Sequence, residues 1–199
     1  VTVAFSSSTG IWITDGRPVL ENVTVDAAIG SGLRIGGGNT LVKSTSVSGT
    51  TAGSGTGAGV SLEGGSATLL HCSLVGNAGM GLIATGGSHH SLLSSTVTGN
   101  GLGGLSNSSA SNRVLARMNY WGDPSGPSGS GFGSGQSITS YVVFDPWLTS
   151  APSSTEYVSS LVLYGPRFSA ALAPARWNAE ATEAGTWTLT VKDPSQKVL

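Results

Sequence analysis

The side chains able to do chemistry are few and scattered. Up to Pro152 the carboxylates are Asp15, Glu21, Asp26, Glu63, Asp123 and Asp145. Cleavage at a sugar needs two of them facing each other, one giving and one taking a proton, ~5–9.5 Å apart. No Asp-Asp or Asp-x-Asp occurs among them, so a Ca²⁺ ion, which wants several oxygens, lacks ligands. His89-His90 is the one histidine pair. Neighbours on a strand face opposite ways and chelate poorly; at a chain corner both are expected in solvent. Cys72 has no partner for a disulfide and reads as a small packing residue, not a nucleophile. Gly36-Gly37-Gly38 and Gly86-Gly87 lead into no helix, so neither reads as a phosphate cradle. No Gly-x-Ser-x-Gly occurs. The expectation is therefore no catalytic residue, no cofactor and no metal.

What positions these residues is a repeat. Gly followed by an apolar–x–apolar triplet recurs at Gly10-Ile11-Trp12-Ile13, Gly32-Leu33-Arg34-Ile35, Gly59-Val60-Ser61-Leu62, Gly81-Leu82-Ile83-Ala84 and, weakened, Gly104-Leu105-Ser106-Asn107. The intervals are 22, 27, 22 and 23 residues. A second apolar segment follows each opening, led by Leu20, Val42, Leu70, Leu93 and Leu115 at intervals of 22, 28, 23 and 22. Both markers lengthen at the same place, the Gly/Ser/Thr run Thr50 to Ala58. A solenoid admits such a loop without losing register. A period near 22 without helical spacing, and without the leucine-rich signature, predicts a right-handed parallel β-helix.

Strand alternation then assigns the side chains. Ile11, Leu33, Val60, Leu82 and Leu105 form one inward column, and Ile13, Ile35, Leu62, Ala84 and Asn107 the next. Trp12, Arg34, Ser61, Ile83 and Ser106 point out. With coils ~4.8 Å apart, Trp12 and Arg34 are placed for a cation–π contact. The same alignment stacks Asn22, Ser44, Cys72, Ser95 and Arg117 at a bend, and sets Glu21 outward with Lys43 and His71. Two Asn-x-Ser/Thr sequons occur, at Asn22 and Asn107; the first falls in an inward column, which argues against glycosylation there.

Composition limits the function classes. Charged residues are 10% and the net charge is −1, with no Lys/Arg cluster for a nucleic acid. No apolar run is long enough to span a membrane. The chain begins at Val1, without initiator Met or signal peptide, as a processed form or a piece of a longer protein does.

From Asn119 to Pro152 the sequence reads NYWGDPSGPSGSGFGSGQSITSYVVFDPWLTSAP. It resembles the closing segment of bacterial secreted right-handed β-helix proteins of the pectate-lyase-like repeat type. The match runs through Asn119, Tyr120, Trp121, Gly122, the Pro124-Ser125-Gly126-Pro127 loop, Phe144 and Pro146-Trp147-Leu148. The resemblance implies the architecture and a cap over about 119–152, with Tyr120, Trp121, Phe144 and Trp147 covering the open end of the stack. It also implies an extracellular or cell-surface location. Enzymes of this fold carry clustered carboxylates with Arg, Lys or His, a pattern that this chain lacks. Residues 153–199 change character. Thr186 to Val191 alternates, then Lys192-Asp193-Pro194-Ser195 turns into Lys197-Val198-Leu199. GTWTLTVKDPSQKVL resembles immunoglobulin-like modules. The fold expectation is thus all-β, a parallel β-helix over 1–152 and a partial β-sandwich segment over 153–199.

Three functions compete. The first is a non-enzymatic extracellular structural or adhesive protein. In its sharper form it is a filament subunit in which Val1, Val3 and Phe5 donate a strand to an incomplete module bearing Trp187, Leu189 and Val191. Its partners are then further copies or neighbouring domains of a longer chain. The second is a carbohydrate-binding or carbohydrate-cleaving β-helix, with a polysaccharide partner. The third is a flat hydroxyl surface such as an ice binder. On this alignment its array is broken, because Thr45, Thr96 and Thr98 fall among Val23, Ser73 and Met118.

Overall fold

Each Gly-opened triplet is too short to be stable alone, and the structure shows how stacking supplies what it lacks. The computed structural model describes residues 1–152 apart from residue 54, together with two strands further on. The strands are β1 (Thr2–Ala4), β2 (Ile11–Ile13), β3 (Val19–Glu21), β4 (Thr24–Asp26), β5 (Leu33–Ile35), β6 (Asn39–Lys43), β7 (Ser46–Ser48), β8 (Val60–Leu62), β9 (Ser66–Leu70), β10 (Ser73–Val75), β11 (Met80–Ala84), β12 (Ser91–Leu93), β13 (Thr96–Thr98), β14 (Gly103–Asn107), β15 (Val114–Leu115), β16 (Pro127–Gly129), β17 (Gly135–Ile138) and β18 (Val142–Val143). They form three parallel sheets that pair strands one coil apart, except that β16 pairs with the next strand, β17, in the closing segment. Sheet I runs β2-β5-β8-β11-β14-β17-β16, sheet II β3-β6-β9-β12-β15-β18 and sheet III β1-β4-β7-β10-β13. This is an all-β parallel solenoid. No described helix is long and apolar enough to cross a membrane.

Sheet I follows the expected register. Ile11, Leu33, Val60, Leu82 and Leu105 are aligned, and Ile138 extends the column by one coil. Four of them, Leu33, Val60, Leu82 and Leu105, are fully buried, each worth about 1.5–3 kcal/mol. The opening glycine is needed for space. A Cβ on Gly32 would overlap the Val47 side chain and come within 2.9 Å of the Gly59 carbonyl.

Sheet II corrects the expected register. Val42 faces Leu69, and Leu69 faces Leu92. Leu69 and Leu92 are buried, whereas Leu70, Leu93 and Leu115 are half-buried on the outside. The interval across the insertion is 27 residues in both sheets, not 28 in the second. Glu21 therefore aligns with Lys43, Leu70 and Leu93, and His71 lies at the following bend.

Sheet III is a third strand per coil that the apolar markers did not show. Its inward column is Val3, Val25, Val47, Leu74 and Val97. It is entered through a left-handed residue in every coil: Asn22, Ser44, His71, Ser94 and Met118 have φ between 45° and 57°. Non-glycine residues rarely hold this conformation. Here the coils above and below hold it in place. The residue after each, Val23, Thr45, Cys72, Ser95 and Asn119, is buried. That is the corner column: Cys72 and Ser95 stand in it as expected, whereas Val23, Thr45 and Asn119 take the places expected for Asn22, Ser44 and Arg117.

Hydrogen bonds tie this corner from coil to coil. Cys72 N–H donates to Ser95 Oγ at 2.9 Å, and Ser95 N–H to Asn119 Oδ1 at 2.9 Å. A second ladder follows sheet III. The Thr50 N–H and hydroxyl donate to Asn77 Oδ1, and the Asn77 N–H and Nδ2 donate to Asn100 Oδ1 at 3.1 and 2.9 Å. The Asn100 N–H donates to Gln136 Oε1 at 3.0 Å.

The closing segment adds a partial coil and a cover. Trp121 is fully buried, with its ring beneath Gly104. Phe144 and Trp147 are half-buried, with ring centroids 6.1 Å apart, and Trp147 Nε1 donates to the Pro124 carbonyl. Tyr120 bridges to Thr96 and so prolongs sheet III.

A separate unit spans Thr155–Leu199. In it β19 (Trp177–Ala181) pairs antiparallel with β20 (Trp187–Val191). Trp187, Leu189 and Val191 lie on β20. The expected turn and strand after Lys192 lie outside the described residues.

Candidate interaction surfaces

The three sheets present three outer faces of different chemistry. On sheet I, Arg34 sits 4.8 Å from the Trp12 ring centroid. Its guanidinium also grips Glu63 through both carboxylate oxygens, at 2.9, 2.9 and 2.7 Å. Ser61 was expected to face solvent but is only 5% exposed. It lies beneath this pair and donates to Glu63 Oε1 at 3.1 Å. Trp12 remains 59% exposed, leaving its ring available for stacking.

Sheet II carries aliphatic side chains on its outside. One outward column is Val19, Leu41, Thr68, Ser91, Leu115 and Val143. The other is Glu21, Lys43, Leu70 and Leu93, continued by Arg117, which lies between the aligned pairs Ser91–Leu115 and Thr96–Tyr120. Lys43 pairs with Glu21 at 3.2 Å. The leucines expected in the core are thus the apolar part of an outer face.

Sheet III presents hydroxyls. Thr2, Thr24, Ser46, Ser73 and Thr96 form one unbroken outward column. The second is Ala4, Asp26, Ser48, Val75 and Thr98, where Ser48 donates to Asp26 Oδ1 at 2.8 Å. The expected break used the wrong register: Thr45 and Val23 belong to the buried corner. The array is continuous in one column and mixed in the other.

The carboxylates stay apart. Glu21 and Glu63 are in the ion pairs above, and Asp26 accepts from Ser48. Asp15 accepts from the N–H of Gly16 at 2.7 Å. Asp123 accepts from the N–H and hydroxyl of Ser125 at 2.8 and 2.5 Å, which hold its pKa below the usual carboxylate value. Among the described residues no three His, Cys, Asp or Glu side chains gather as a metal would require.

The histidine pair divides. His89 is exposed beside Ser88, but His90 is only 3% exposed. Its Nε2 meets the Gly86 carbonyl at 2.8 Å, its Nδ1 has no partner, and burial lowers its pKa. The expectation that both are solvated fails because the corner between sheets I and II turns His90 inward. Cys72 is 3% exposed, and burial pushes its thiol up to about 11. Of the two sequons, Asn22 is exposed at its bend and not inward as expected, whereas Asn107 keeps its expected inward position, 4% exposed, and donates to the Tyr141 carbonyl at 2.8 Å.

Val1, Val3 and Phe5 do not form a free strand. Thr2–Ala4 pairs with β4 of its own chain, and Val3 enters the sheet III column. No family model, no curated protein and no solved structure matches this chain.

Proposed function

We propose that this chain is a non-enzymatic structural or adhesive β-helix protein that works outside the cell through its flat outer faces. The observation that carries the reading is the outer face of sheet II. There Val19, Leu41, Leu70, Leu93, Leu115 and Val143 take outward positions, where a strand of an isolated solenoid is ordinarily polar. Low charge and the resemblance of the closing segment to secreted β-helix proteins support the location. A second reading, carbohydrate binding, is favoured by Trp12, whose exposed ring beside Arg34 and Glu63 suits stacking on a sugar.

The test incubates the protein with immobilised neutral and acidic polysaccharides, measuring both retention and released reducing or unsaturated ends. Retention without product fits a binding or adhesive role, and Trp12→Ala abolishing it selects the carbohydrate reading. Product that accumulates with time and protein concentration contradicts the proposal.

A further inference from the structure

We propose that two copies of this chain pair face to face through the outer face of sheet II, about a two-fold axis passing Leu70. This names a partner beyond the general reading above. The argument starts from the column Glu21, Lys43, Leu70, Leu93, with Arg117 following from the pairs Ser91–Leu115 and Thr96–Tyr120 on either side of it. From Glu21 to Arg117 the column reads acid, base, leucine, leucine, base.

An axis in the interface and parallel to the strands reverses the coil order but keeps strand direction. Each column then faces its own copy. Glu21 and Arg117 lie two coils to either side of Leu70, each ~10 Å from it at ~4.8 Å per coil. Centred on Leu70, Glu21 meets the second copy's Arg117, and the contact repeats on the other side. Lys43 lays its alkyl stem against the second copy's Leu93. In the other column Val19, 58% exposed, meets the second copy's Leu115, and Thr68 meets Thr68.

Charge selects this register. Centring between Leu70 and Leu93 would set Lys43 on Arg117, like on like, and leave Glu21 without a basic partner across the interface. Centring on Leu93 leaves Val19 bare. Arg117 is exposed and has no ion-pair partner among the described residues. Glu21 uses only Oε1 on Lys43, so its second oxygen can accept. The pairing closes on itself and yields a dimer, not a filament.

The test is sedimentation equilibrium of the full chain up to about 100 µM, with far-UV circular dichroism checking that each variant folds. A dimer is expected. Leu70→Asp should weaken it at least ~100-fold. Glu21→Arg and Arg117→Glu should each weaken it ~10-fold, and the double variant should regain most of the loss because the pair is re-formed with reversed sign. A monomer throughout that range overturns the proposal, as does dimerisation indifferent to Leu70→Asp. Failure of the double variant Glu21→Arg, Arg117→Glu to regain any of the loss overturns the register. None of these outcomes depends on polysaccharide retention, so the proposed function stands or falls separately.

Discussion

Removing the Asn77 side chain should cost about 2–4 kcal/mol, and the ladder it belongs to explains why. Asn77 is 1% exposed. Its Oδ1 accepts from the Thr50 N–H and hydroxyl at 3.3 and 3.0 Å, and its Nδ2 donates to the Val47 carbonyl and to Asn100 Oδ1 at 3.1 and 2.9 Å. In Asn77→Ala the Thr50 hydroxyl keeps the Gly57 carbonyl, but the buried Thr50 N–H loses its acceptor. An orphaned buried donor costs about 1–3 kcal/mol, and the lost amide bonds add about 1. Asn100→Ala strands the Asn77 N–H in the same way and leaves its Nδ2 only the Val47 carbonyl. The double variant should cost less than the sum by about 1 kcal/mol, since the bond shared by the two amides is lost only once. Urea unfolding followed by far-UV circular dichroism, with unchanged m-values, measures all three. Exposed Asn39→Ala should stay within about 0.5 kcal/mol. A cost below about 0.5 kcal/mol for Asn77→Ala, or strict additivity, would refute the reasoning.

Other outcomes follow from single buried groups. His90 is held neutral by burial, so the unfolded chain binds the extra proton. Stability should therefore be intact above about pH 6.5 and decline as pH falls below it, until the folded pKa is reached. His90→Gln, whose Nε2 can still donate to the Gly86 carbonyl, should show a smaller loss of urea midpoint between neutral pH and mildly acidic pH; an equal loss would exclude His90 as the cause. Cys72, with its thiol pushed up to about 11, should resist thiol reagents until the protein unfolds. Cys72→Ser should cost within about 1 kcal/mol, because the column already holds hydroxyls at Thr45 and Ser95. Gly32→Ala should destabilise by about 1–3 kcal/mol, since the added methyl meets Val47 and the next coil's backbone; a neutral effect in thermal unfolding would contradict the close approach.

The solenoid was legible because Gly and a spaced apolar pair recur together, and a glycine that touches the next coil leaves a strict mark. The Trp12–Arg34 contact was legible for the same reason: once sheet I is in register, its outward neighbours follow. Sheet II was misread because Leu69-Leu70 and Leu92-Leu93 are apolar doublets. Alternation says that one of each pair faces in but not which one, and only the 27-residue interval of sheet I decides it. That slip hid the apolar outer face and set Glu21 beside His71 rather than Leu70. Sheet III was overlooked because β4, β7 and β13 each bury one apolar side chain between hydroxyl or acidic neighbours, as in Ser46-Val47-Ser48. The inward turn of His90 has no local signature at all; it follows from the corner path between two sheets.

The register of sheet II tests the account most directly. Single cysteines placed at Leu69, Leu70, Leu92 and Leu93 in a Cys72→Ser background would be timed against a water-soluble thiol reagent, at a protein concentration low enough to keep the chain monomeric. Cysteines at 70 and 93 should react rapidly, and those at 69 and 92 only as fast as the protein unfolds. Rapid reaction at 69 and 92 with protection at 70 and 93 would put the leucines back in the core and contradict the three-sheet register, along with the interaction face built on it.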